Sequence, residues 1–206
     1  MKKAIIYLHG KGGNAQEAAH YGPLFPECDV LGFDYKAQTP WEAKDEFGKY
    51  FDKSAEKYDT ISIIANSIGA YFTMCAWDGK PIERAYFISP VVDMERLITD
   101  MMSWAEVAED ELREKQKIET PFGETLSWAY LQWVREHPVF WDVPTHILYG
   151  ERDNLTTLAA ISAFAENHGA TLNVMPGGEH WFHTEEQMAY LDKWLKRHMG
   201  SFSREA

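Results

Sequence analysis

The chain has 206 residues, of which 45% are apolar and 14% aromatic, enough to pack one domain, with or without an insertion, and too apolar for a disordered chain. Lys and Arg number 20 against 32 Asp and Glu, a net charge of −12. With no Lys/Arg cluster, that balance argues against nucleic acid as a partner and disfavours polyanionic substrates. No apolar run approaches the ~18 residues that span a bilayer, so membrane insertion is not expected.

Met1-Lys2-Lys3 precedes an apolar run of only about five residues, too short for a signal-peptide core. The start therefore reads as the first strand, Lys3–Leu8, of a cytoplasmic protein, ending at His9-Gly10. Next come a strand over Asp29–Tyr35, a helix over Trp41–Lys57, a strand over Thr60–Ala65, a helix over Ser67–Trp77 and a strand over Ala85–Ile88. After an interruption, the pattern resumes with a strand at His146–Tyr149, a helix at Thr156–His168, a strand at Thr171–Met175 and a last helix at Glu185–His198. Strands that read as continuous apolar runs, separated by helices, predict an α/β fold: a mostly parallel six-stranded sheet with helices on both faces. The two cysteines, Cys28 and Cys75, fit neither a disulfide framework nor a zinc spacing and read as ordinary thiols.

The interruption runs from Asp93 to Val143 and carries no strand pattern. Met94, Leu97, Ile98, Met101, Met102, Ala105 and Ala108 recur at helical spacing, and Leu126, Tyr130, Trp133 and Val134 do so after a Pro121-Phe122-Gly123 break. The organisation expected is a core of residues 1–92 and 144–206 with a two-helix insertion at 93–143. Trp104, Trp128, Trp133 and Trp141 fall in the insertion, half of the chain's 8 tryptophans. They either fasten it to the body or line an apolar pocket, and an apolar face there could equally form a homodimer contact. The tail Ser201–Ala206 is expected to fray.

In a parallel sheet, the loops at the carboxyl ends of the strands carry the chemistry. Ser67 stands at such an end, in Ala65-Asn66-Ser67-Ile68-Gly69-Ala70, where small neighbours allow a tight strand-to-helix turn that lifts the hydroxyl clear of the sheet. The alternative is that Ser67 only caps the helix. A serine nucleophile needs a histidine held by a carboxylate. Asp153 follows the fifth strand in Gly150-Glu151-Arg152-Asp153, and His180 follows the sixth in Gly177-Gly178-Glu179-His180. Asp93, after the fourth strand, is the rival acid, and His9 reads as a brace for its loop. His183 with Glu179 lacks a third ligand, so no metal is expected.

These stretches resemble an α/β-hydrolase over nearly the whole chain. Leu8-His9-Gly10-Lys11-Gly12-Gly13 is similar to the family's oxyanion loop, Asn66-Ser67-Ile68-Gly69 to its nucleophile elbow, Gly150–Asp153 to its acid loop and Gly178-Glu179-His180 to its histidine loop. The elbow departs from G-x-S-x-G in having Ala65 at the first glycine, and the antiparallel pair that often opens the fold is absent. The resemblance implies that Ser67, Asp153 and His180 are the catalytic triad and that the N–H groups of Lys11 and Ile68 form the oxyanion hole, with Gly12 as the fallback. It also implies a cap at 93–143, and a strand order with the second strand at the edge, then the first, third, fourth, fifth and sixth.

The expected activity is a carboxylesterase-like serine hydrolase acting on a small to medium apolar ester through an acyl-enzyme, with no cofactor. The same triad would serve a thioesterase, an amidase or a C–C bond hydrolase. A non-catalytic ligand-binding protein on the same scaffold is the reading from another class, and it has no need to keep all three residues.

Overall fold

The structure, a computed structural model, describes residues 1–199, so the expectation for the tail from Ser201 lies outside the described residues. The chain divides into two compact units, Met1–Val92 with the chain from Trp141 onwards, and Asp93–Phe140.

The first unit holds six parallel strands: β1 (Lys3–Leu8), β2 (Asp29–Gly32), β3 (Thr60–Asn66), β4 (Arg84–Ile88), β7 (Thr145–Gly150) and β8 (Thr171–Met175). Their order is β2-β1-β3-β4-β7-β8, the order expected. In β1 the consecutive residues Ile5, Ile6, Tyr7 and Leu8 are all buried, so both faces of the strand are covered, which is why it reads as an unbroken apolar run. On one face Ile5, Tyr7, Ile64, Tyr86 and Leu148 form a core with Tyr21 and Phe25 and with Leu191, Trp194 and Leu195 of α7 (Glu185–Met199). Helices α1 (Pro40–Ala55) and α2 (Ile68–Ala76) pack together with Phe47, Phe51 and Phe72 buried. Thr39 and Glu42 form a capping box at the start of α1, with Pro40 as its first residue. Helix α6 (Leu158–Asn167) completes the unit.

Strand β2 stops at Gly32, short of the expected Tyr35. Beyond it the aromatic rings turn to α1: Phe33 stacks on Tyr50 at 3.9 Å, and Tyr35 lies 4.8 Å from Phe47. Phe33 N–H still donates to the Tyr7 carbonyl of β1 just past the end of the strand.

His146 on β7 stacks on Tyr86 and lies 4.3 Å from the His198 ring, with Arg84 close by. Desolvation, then the charges of His198 and Arg84, push its pKa down to about 4. The folded state thus binds fewer protons than the unfolded one between about pH 6.5 and 4, so this contribution is complete above that window and is lost as pH falls through it. Thermal unfolding followed from pH 7 to pH 4.5 should show a loss of Tm that is smaller by a few degrees in His146→Gln; parallel curves would contradict it.

The second unit comprises α3 (Met94–Trp104), α4 (Glu109–Lys115), β5 (Lys117–Glu119), β6 (Thr125–Ser127) and α5 (Trp128–Glu136). The expected first helix, spaced through Ala108, stops at Trp104: the backbone turns left-handed at Glu106, whose φ is 54°, and a further helix, α4, starts beyond it with Glu109, Asp110 and Glu111 in its first turn, where the helix dipole favours acids. The expected absence of strands is corrected by the antiparallel β5–β6 hairpin. The Pro121-Phe122-Gly123 break is its turn, locked by Thr120, whose Oγ1 donates to the Glu124 carbonyl and accepts from the Glu124 N–H. Arg135 on α5 bridges Glu95 on α3 and Glu109 on α4. Trp141, counted with the insertion from sequence, packs in the first unit on Trp77 and Phe87. Among the described residues no helix is long and apolar enough to cross a membrane.

Candidate active site

Strand β3 ends at Asn66 and α2 begins at Ile68, leaving Ser67 as the whole connection. Its backbone sits at φ 49°, ψ −119°, a conformation that costs a non-glycine residue about 1–3 kcal/mol and persists only where its surroundings enforce it. The enforcement is visible. Ser67 N–H donates to the Ile88 carbonyl, and Ser67 O accepts from Ala70 and Val91 N–H groups. Behind the turn the end of β1 comes so close that a Cβ on Gly69 would lie 2.6 Å from the His9 carbonyl oxygen and 2.8 Å from that of Leu8. Ala65, fully buried, is accommodated. The Ser67 side chain makes no capping bond, which removes the reading of it as a simple helix cap.

The loops after β7 and β8 meet backbone to backbone. Gly150 and Gly178 touch, and a Cβ on Gly150 would run into the Gly178 and Glu179 carbonyls, so the chain can cross there only as glycine. Arg152 N–H donates to the Gly178 carbonyl, and Glu151 accepts at its carboxylate from Gly177 N–H. This crossing brings Asp153 and His180 together: His180 Nδ1 lies 2.7 Å from Asp153 Oδ2, and His180 Nε2 lies 2.9 Å from Ser67 Oγ. A carboxylate can only accept, so the proton of neutral His180 belongs on Nδ1, which leaves Nε2 to accept from the Ser67 hydroxyl.

Asp153 has no exposed side-chain surface. Burial opposes its ionisation, but the hydrogen bond and charge of His180 and the N–H groups of Thr156 and Leu155 outweigh it and hold the carboxyl below its usual value. Leu155 and Thr156 N–H groups both donate to Oδ1, while Oδ2 takes His180 and the Thr156 hydroxyl.

The loop after β1 turns at Gly10, Lys11 and Gly12. Gly13 N–H donates to the Gly10 carbonyl, and Gly12 has φ 78°. Gly10 packs on the Ser67 side chain, where a Cβ would come within 3.3 Å of Ser67 Cβ. His9 stacks on Tyr35 at 4.2 Å, donates from Nδ1 to the Gly10 carbonyl, and receives the Tyr35 hydroxyl at its own carbonyl, so it braces this loop. Ile68 is the first residue of α2, and its N–H has no partner within the helix. Lys11 thus follows the glycine that packs on the Ser67 side chain, and Ile68 follows Ser67 itself.

Asp93, the rival acid, caps α3 in the second unit by accepting from Arg96 N–H. His183 donates to the Trp181 carbonyl. Among the described residues no cluster of His, Cys, Asp and Glu could hold a metal ion. The sequence reading passed over Tyr7, Glu17 and Asn66, which form a hydrogen-bonded chain beneath the elbow. They lie 10 and 59 positions apart, beyond any local pattern.

No protein-family model and no curated protein sequence matches the chain. Solved structures do match it at low identity. The alpha/beta hydrolase domain-containing protein 10 from mouse superposes with a TM-score of 0.77 at 13% identity, covering 97% of this chain and 90% of that one. Est1E from Butyrivibrio proteoclasticus gives 0.73 at 19% identity, over 97% and 87% of the two chains. An esterase of Pyrococcus furiosus gives 0.60 at 20% identity, over 98% and 81%.

Proposed function

Given that this chain has the α/β-hydrolase fold, we propose that it is a serine hydrolase that cleaves carboxylic esters of small to medium apolar substrates through an acyl-enzyme. The observation that carries the reading is the unbroken line from the Ser67 hydroxyl through His180 to Asp153, at 2.9 and 2.7 Å. Ser67 Oγ attacks the ester carbonyl while His180 Nε2 takes its proton, and Asp153 steadies the imidazolium so formed. The carbonyl oxygen, now negative, is received by the N–H groups of Lys11 and Ile68. Collapse of the tetrahedral intermediate expels the alcohol with the proton from His180. Water then repeats the cycle on the acyl-enzyme and frees the acid, and no cofactor enters.

The strained backbone of Ser67 supports this reading, since costly conformations cluster at active sites, where the surrounding structure enforces them.

The test is a fluorophosphonate probe with mass mapping, run beside a panel of short to medium acyl esters. Stoichiometric modification of Ser67 together with ester turnover is expected. A folded wild type that takes no label and turns over no ester would leave a ligand-binding role on the hydrolase scaffold as the reading to pursue.

A further inference from the structure

The Tyr7 ring is buried in the sheet core, 5.2 Å from Tyr21, but its hydroxyl is fully engaged. It donates to Glu17 Oε2 at 2.5 Å and accepts from Asn66 Nδ2 at 2.8 Å. The directions are forced: a carboxylate offers only acceptors, so the single phenolic hydrogen goes to Glu17 and the Asn66 amide must present its NH2. Burial, with the neighbouring Tyr21 and Glu17, pushes the Tyr7 phenol far above its ordinary value and keeps that hydrogen in place.

Each end of this chain of bonds terminates at one half of the site. Asn66 directly precedes Ser67, and its Oδ1 is buried without a partner, so the bond to Tyr7 is the one that orients the amide. Glu17 lies just beyond the Gly10–Gly13 loop, in the short 3-10 helix Ala15–His20, and closes the capping box that joins the two: Glu17 Oε1 accepts from Asn14 N–H, and Asn14 Oδ1 accepts from Gln16 N–H. Gly13 packs so tightly on this carboxylate that a Cβ there would lie 2.8 Å from Glu17 Oε1. Glu17 is itself exposed, yet its carboxylate reaches in to satisfy the buried Tyr7 hydroxyl and so ties the two segments together.

We infer that Glu17, Tyr7 and Asn66 are positioning residues that lock the Lys11 loop to the Ser67 elbow, and so set the separation of the two oxyanion donors. The inference rests on the serine-hydrolase reading above. It predicts a defect specific to the tetrahedral state, because ground-state binding does not require both donors to converge on one oxygen.

Tyr7→Phe keeps the ring and removes both bonds. Glu17→Gln alters an exposed side chain, where folding is not at risk, and turns one acceptor oxygen into a donor, so either Tyr7 or Asn14 loses its acceptor. On the best ester of the panel, Tyr7→Phe should lower kcat roughly tenfold to thirtyfold and Glu17→Gln roughly threefold to tenfold, with KM within about twofold of wild type. Affinity for a trifluoromethyl ketone carrying the same acyl chain, which is bound as its tetrahedral adduct, should weaken in step with kcat. Folded variants that keep kcat and inhibitor affinity within about twofold, or that change KM alone, would overturn the inference and leave the hydrolase reading standing. A wild type that neither hydrolyses esters nor takes the fluorophosphonate label would overturn both.

Discussion

Ser67→Ala should lower kcat on the best ester by about 10⁴–10⁶-fold while leaving KM within a few-fold and the fold intact. The hydroxyl bonds to His180 Nε2 and makes no capping bond to α2, so its removal takes the attacking oxygen and little else. The backbone bonds that enforce the turn, from Ser67 N–H to Ile88 and from Ala70 and Val91 to the Ser67 carbonyl, do not involve the side chain, and an alanine can occupy the same conformation at the same strain. His180→Ala should be about as severe, and the double variant no worse than either single one. Residues that act as one unit fail together, so adding the two losses would overstate the effect. Activity within about tenfold of wild type in Ser67→Ala would remove serine as the nucleophile and with it the whole mechanism.

The central strands and the loops that follow them were legible in the sequence for a physical reason, whereas the strand order came from the family resemblance alone. A strand buried on both faces must be apolar throughout, and the residue that ends such a run stands at the carboxyl edge of a parallel sheet, where loops carry chemistry. What was not legible depends on contacts between distant positions. The β5–β6 hairpin has three residues per strand, too few for a period of two to register, and one of them, Leu126, falls in step with the helix that follows. Helix α3 stops at Trp104 because the backbone turns left-handed at Glu106, a position that a helical spacing of Ala105 and Ala108 conceals. Phe33 and Tyr35 prolong the apolar run past the end of β2, but their rings belong to the packing against Tyr50 and Phe47 of α1. The Glu17–Tyr7–Asn66 chain leaves no mark at all: a tyrosine in an apolar strand reads as core until its hydroxyl is located.

Asp153→Asn should lower kcat by about 10⁴-fold, and the hydrogen-bond pattern says why an amide of nearly the same shape is so poor a substitute. Oδ1 accepts from two N–H groups, those of Leu155 and Thr156, so the one remaining oxygen of an asparagine must stay there. Its NH2 is then placed where Oδ2 stood, facing His180 Nδ1 and the Thr156 hydroxyl. Nδ1 becomes the acceptor, the imidazole proton moves to Nε2, and the ring donates to Ser67 Oγ in place of receiving its hydrogen. Nitrogen chemical shifts of His180 should show this exchange of tautomer directly. Asp93→Asn is the matched control. Asp93 caps α3 through Arg96 N–H, and asparagine caps helices as well as aspartate does, so activity should stay within about twofold. The reverse pattern, with Asp153→Asn nearly normal and Asp93→Asn crippled, would move the acid to the end of β4 and leave the buried carboxylate beside His180 without a catalytic task.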